Sequence, residues 1–147
     1  MIASHALILF ASYALFFMAV LTGLAFLVQE AWLKRKDPRV LRRRAVPLEV
    51  LDRVNLYAVV AGFALFSFGM AQGHLLARSE WGAYFSADPK ELSSLLTWAA
   101  YAAVLVLRLR VGLRGRRVVL LSVMSFAFVL FTFAGVNYWI GSRHVFF

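Results

Sequence analysis

Apolar residues fall into four long runs, at about residues 2–28, 54–77, 92–107 and 118–140, and the charged residues gather between them. About 20 apolar residues are needed to cross the hydrocarbon core of a bilayer as a helix. Backbone N–H and C=O groups cannot be left unpaired in lipid, so each run is predicted to be α-helical. The third run is short for a span and is expected to borrow from the segment before it. The pattern predicts an all-α, polytopic membrane protein. Residues 1–147 form a single membrane domain, a four-transmembrane-helix bundle.

The boundaries carry their own chemistry. No basic region precedes the first run, its charges follow it, and it is too long for a secretory signal, so it reads as a retained span. Trp32 suits the interface at its end. Pro47, Glu49 and Asp52 suit the positive start of the second helix. Asp88, Pro89 and Glu91 occupy the N-cap, N1 and N3 positions of a capping box opening the third. Gly69 and Gly73 make a small-xxx-small pair, whose expected use is close packing within the bundle.

Charge sets the orientation. The first connection holds eight basic residues: Lys34, Arg35, Lys36, Arg39, Arg42, Arg43, Arg44 and Arg53. The third holds five: Arg108, Arg110, Arg114, Arg116 and Arg117. Thirteen of the 16 Lys and Arg therefore lie between alternate spans. Basic connections stay in the cytoplasm. Both termini and the loop 78–91 are then extracytoplasmic (N-out/C-out), in a multi-pass protein of the cytoplasmic, or inner, membrane. The net charge of +9 is accounted for by orientation, and nucleic acid is not an expected partner. Apolar residues make up 63%, against about 45–50% in soluble domains. With no cysteine, disulfides, thiolate catalysis, zinc–cysteine sites and covalent haem attachment to this chain are excluded.

Three histidines, His5, His74 and His144, all fall at or near the outer boundary. Imidazole is the commonest metal ligand and binds haem iron. His74 lies four residues before Arg78 on one helix face, which favours an interfacial polar cluster. The outer loop 78–91 carries Trp81, Tyr84 and Phe85. An aromatic belt at the headgroups is the commoner use of such residues. The other reading is a flat shelf for a planar ligand, with Arg78, Lys90 or Arg143 near its carboxylates.

The segment from Trp81-Gly82 through Asp88-Pro89-Lys90-Glu91 to Thr97-Trp98 resembles the tryptophan-rich "WWD" motif of the cytochrome c assembly family. That family includes the CcsA, ResC, CcmC and HemX-like haem-handling proteins. Leu51 to Asn55 with Gly62-Phe63 resembles its helix before the loop. His5 with Tyr13, and Gly135-Val136-Asn137 with Gly141 and His144, resemble its histidine-bearing helices. The likeness covers nearly the whole chain and corresponds to the family's last four helices. It departs from the pattern in three places. Phe85 and Ala87 replace loop tryptophans, and Val106 replaces an inner histidine found in some members.

The resemblance implies a haem-binding component of cytochrome c biogenesis that presents haem b at the outer face. His5 and His144 would ligate the iron, with His74 as a further candidate. Trp81, Tyr84 and Phe85 would contact the macrocycle, with Asp88, Arg78 and Lys90 completing the site. Partners would be other assembly subunits or apocytochrome c. Ligation alone does not make an enzyme, so a non-catalytic component is expected. A HemX-like structural or regulatory subunit without haem, and a small bis-histidine membrane cytochrome b, share the same fold.

Overall fold

The computed structural model describes residues 2–36, 46–81 and 89–139. Four helices carry them: α1 (Ile2–Lys34), α2 (Leu48–Trp81), α3 (Pro89–Leu109) and α4 (Arg116–Trp139). Three segments among the described residues are long and apolar enough to cross a membrane: Ala3–Lys34, Leu48–Leu76 and Glu91–Leu109. The chain is thus an all-α, multi-pass membrane protein. The sequence led us to expect four such spans, and the count that qualifies is three. The fourth run is helical as α4 over its 24 residues, Arg116–Trp139.

The helices overrun the apolar runs because their ends are satisfied by polar contacts. The last turn of α1 is held by a 2.9 Å Lys34–Glu30 pair, a cation placed at the negative end of the helix. The Pro47 carbonyl accepts from the Leu51 amide at 3.2 Å as α2 begins. Pro89 is the first residue of α3, where its missing N–H costs nothing. Beyond the C-terminus of α3, Gly112 adopts φ 72°, and the Leu113 amide donates back to the Leu107 carbonyl at 3.2 Å. That is a left-handed glycine cap.

Helices α1 and α2 run antiparallel along a shared seam. On α1, residues 5, 9, 12, 16, 19 and 23 recur every four and three positions, the period of a left-handed helix pair. Glycines of α2 receive these side chains. Leu9 meets Gly69, Phe16 meets Gly62, and Ser12 Oγ donates to the Gly62 carbonyl at 2.9 Å. Small residues allow this approach, and lipid supplies no competing hydrophobic drive between helices. A Cβ at Gly62 would stand 2.8 Å from Phe16 Cε1. Gly62→Ala is therefore expected to destabilise the bundle by about 1–2 kcal/mol through overpacking. The shift in an SDS-induced unfolding midpoint checks this, and an unchanged midpoint would mean that the seam tolerates the extra methyl.

The remaining helices close a ring. Helix α4 packs antiparallel on α1, with Phe17 6.1 Å from Phe126 and Glu30 bonded to Arg116 at 3.2 Å. Helix α3 lies between α4 and α2, and Trp98 Nε1 donates to Ser67 Oγ at 3.0 Å. Across the diagonal, Phe16 stacks on Tyr101 at 3.8 Å and 5°. Phe16, Phe66, Tyr101, Val104, Val118 and Val129 lie in the buried centre.

One end of the bundle holds a buried polar cluster. Arg108, which the charge pattern assigns to the third connection, lies inside α3 and is only 8% exposed. It pairs with Asp52 Oδ2 at 2.8 Å. It also donates to the Asp52 carbonyl at 2.7 Å and to Asn55 Oδ1 at 3.2 Å. Asn55 Nδ2 in turn donates to the Ala19 carbonyl at 2.6 Å. Three helices are tied there, because a charge out of water needs every partner it can find. With all neighbours antiparallel, α1 and α3 start, and α2 and α4 finish, at the opposite end.

Candidate functional site

That opposite end carries the candidate site. His5 sits one turn into α1 and rests on Gly73 of α2. An ideal Cβ at position 73 would lie 3.0 Å from His5 Cε1, 3.6 Å from Nε2 and 3.7 Å from Nδ1. The ring therefore turns its Cε1 edge, flanked by both nitrogens, toward the α2 backbone. His5 Nδ1 is buried without a hydrogen-bond partner among the described residues, and so is Gln72 Oε1 on the neighbouring helix.

His74 behaves differently. Its Nδ1 lies 2.8 Å from the Met70 carbonyl. A carbonyl only accepts, so Nδ1 carries the proton and the neutral ring keeps its lone pair on Nε2. This is the arrangement that orients a ligating imidazole, although it is also an ordinary way for a part-buried histidine to satisfy itself. Arg78 is exposed near the end of α2. Trp81 closes α2, and Lys90 lies in the first turn of α3; both are placed by backbone alone. Tyr84, Phe85, Asp88 and His144 lie outside the described residues. Among the described residues no three His, Asp or Glu side chains gather as a metal cluster, and an iron held by a porphyrin asks for only two axial donors.

Gly73 and Gln72 belong to this site, and neither was singled out as a site residue from the sequence. Spacing places Gly73 on the seam, but it reveals neither the ring that lies on it nor the part of Gln72. Gly73 continues the four-and-three series 62, 66, 69 and 73 that faces the α1 seam.

A family model described as Cytochrome C assembly protein matches residues 1–144. The chain belongs to the cytochrome c assembly family. Among curated relatives, it is 40% identical over 96 residues to the cytochrome c biogenesis protein CcsA of Gloeobacter violaceus, covering 65% of this chain and 28% of that protein. The CcsA of Trichodesmium erythraeum is 34% identical over 106 residues, 71% of this chain and 30% of the relative. That of Welwitschia mirabilis is 33% identical over 95 residues, 65% of this chain and 31% of the relative. The matched stretch is thus less than a third of each relative's length. No solved structure matches the chain.

Proposed function

We propose that this chain is a haem-handling membrane component of cytochrome c biogenesis, holding haem b at the outer face and presenting it to an apocytochrome c or another assembly subunit. Family membership supports the process, and His5 supports the cargo. His5 offers an imidazole nitrogen donor at the end of the bundle where α1 starts and α4 finishes, and its Nδ1 is unpaired among the described residues. The residues fit a ligand of this kind. His5 and His144 would be the axial pair, with His74 as the alternative donor. Trp81, Tyr84 and Phe85 would lie against the macrocycle, and Arg78 and Lys90 near its carboxylates. Asp88 would cap α3 beneath them. Bound haem supplies an iron with two axial positions, which neutral imidazoles fill.

The protein's own part is to bind, orient and shield. Axial ligation would form only coordinate bonds to the iron and change no bond of an apocytochrome, so the chain serves as a component rather than as a complete synthase. The excess of basic residues at the connections 35–47 and 110–115 supports cytoplasmic inner ends and extracytoplasmic termini. Four spans, α4 among them, complete the crossing.

The test is direct. The detergent-purified protein, titrated with haemin, is expected to give a Soret band of bis-histidine character. His5→Ala should weaken haemin binding at least tenfold and change that band, with the far-UV helix signal unchanged. A parent protein that takes up no haemin would overturn the reading in favour of a structural or regulatory subunit. Haem retained through every turnover, with none passed to an apocytochrome, would make the chain a resident cytochrome instead.

A further inference from the structure

We infer that Gly73 and Gln72 are positioning residues for His5, Gly73 as the seat on which the imidazole lies and Gln72 Oε1 as the acceptor for its Nδ1–H; this deepens, and rests on, the haem-handling reading above. Two observations carry it. The first is steric. Cε1 lies between the two ring nitrogens, and it is the atom closest to the empty Cβ position of Gly73, at 3.0 Å. The seat therefore sets the directions of both nitrogens at once. An alanine Cβ at 73 would make the ring give by a few tenths of an ångström, which tilts Nε2.

The second observation is polar. Buried donors and acceptors almost always find partners. Here a ring nitrogen and an amide oxygen are both buried and both unpaired among the described residues. They belong to His5 and to Gln72, the chain neighbour of the glycine beneath the ring. A ligating histidine characteristically donates its other N–H to an acceptor, which fixes the tautomer and raises the basicity of the ligating nitrogen. The structure makes no bond between the two, and turning the Gln72 amide toward the Nδ1-protonated tautomer of His5 would satisfy both. Pairing them leaves Nε2 with its lone pair for iron. His74, anchored on Met70 O, does not compete for that oxygen, because its own Nδ1–H is already used.

Haemin titration of the full chain in detergent is the first measurement. Losing an outer partner of a metal ligand costs about 10–100-fold in affinity. Gln72→Leu is expected to fall in that range, and Gly73→Ala to lose about tenfold with altered low-spin EPR g-values as the ring plane turns. Gln72→Glu keeps an acceptor oxygen, so it should bind haemin as the parent does while lowering the midpoint potential. A merely structural role for Gln72 moves neither the potential nor the g-values.

The second measurement needs no haem. In ¹⁵N-histidine-labelled protein, with the His5 signals assigned by their loss in His5→Asn, Gly73→Ala should shift both ring nitrogens and Gln72→Leu should shift Nδ1. Unchanged His5 shifts in both variants overturn the inference whatever haemin does. Shifts that move in a parent protein that takes up no haemin uphold the seat and overturn the haem reading instead. The Gln72 variants leave the glycine seam intact, so they decide the acceptor even where Gly73→Ala fails to fold.

Discussion

Replacing Arg108 by alanine is expected to lower the stability of the bundle by about 3–5 kcal/mol, the usual result of removing one partner from a buried ion pair. The guanidinium is 8% exposed and serves three acceptors on α2: Asp52 Oδ2, the Asp52 carbonyl and Asn55 Oδ1. Without it, the Asp52 carboxylate loses its counter-charge, and its Oδ1 already has no partner among the described residues. Asn55, fully buried, keeps its bond to the Ala19 carbonyl but loses the donor to its own oxygen. Arg108→Lys should recover only part of the loss, because one ammonium cannot reproduce the planar fork that spans two residues. Arg108→Met combined with Asp52→Leu should be milder than Arg108→Ala alone, since both charges then leave together. SDS-unfolding midpoints measure all three. A shift below about 1 kcal/mol for Arg108→Ala, the level typical of an exposed pair, would show that water reaches the cluster. Haemin affinity of the folded fraction should not change, because the cluster lies at the end of the bundle opposite His5.

Arg108 also shows where sequence reading stops. The four apolar runs, the helices they form and the opening of α3 at Pro89 were legible, since each follows from local hydropathy and capping. Arg108 follows an apolar run and precedes other basic residues, so local pattern assigns it to the connection. Its burial depends on Asp52 and Asn55, more than 50 positions away, and no local rule finds a partner at that range. Gly62, Gly69 and Gly73 were readable as small residues that permit close contact. Which helix they contact, and that His5 lies on the last of them, requires the antiparallel register of α1 on α2. His5 and His74 were legible as candidates, because imidazole carries its chemistry in the residue type. The seat and the acceptor were not, because glycine and glutamine acquire a role only from what lies against them. The loop residues Tyr84, Phe85 and Asp88, and His144 in the tail, lie outside the described residues and, like the rest of the haem site, are proposed from the family resemblance.

Phe16→Ala is expected to be the other large loss, roughly 2–3 kcal/mol. A buried phenylalanine truncated in a soluble core costs about 3–5 kcal/mol. Lipid tails are as apolar as the bundle core, so burial against lipid contributes little, and the cavity and the lost ring contacts remain. Those contacts are extensive. Phe16 is fully buried, stacks on Tyr101 at 3.8 Å and tilts against Phe66 at 6.1 Å. Aromatic pairs of this kind contribute about 0.5–1.5 kcal/mol beyond burial. The Tyr101 contact also bridges α1 and α3 across the bundle, so its loss should loosen α3 more than α2. Hydrogen exchange should therefore rise first in the Tyr101 to Val104 turn. The seam supplies an internal control. Gly62→Ala is harmful because its methyl meets the Phe16 ring at 2.8–2.9 Å. In a Phe16→Ala background that ring is gone, and the new methyl enters the cavity. The double variant should be more stable than the sum of the two single losses predicts, by at least about 0.5 kcal/mol, the scale of coupling between residues in contact. Strict additivity would mean that α1 and α2 shift apart when either residue changes, and that the ring does not occupy the groove above Gly62 in the membrane.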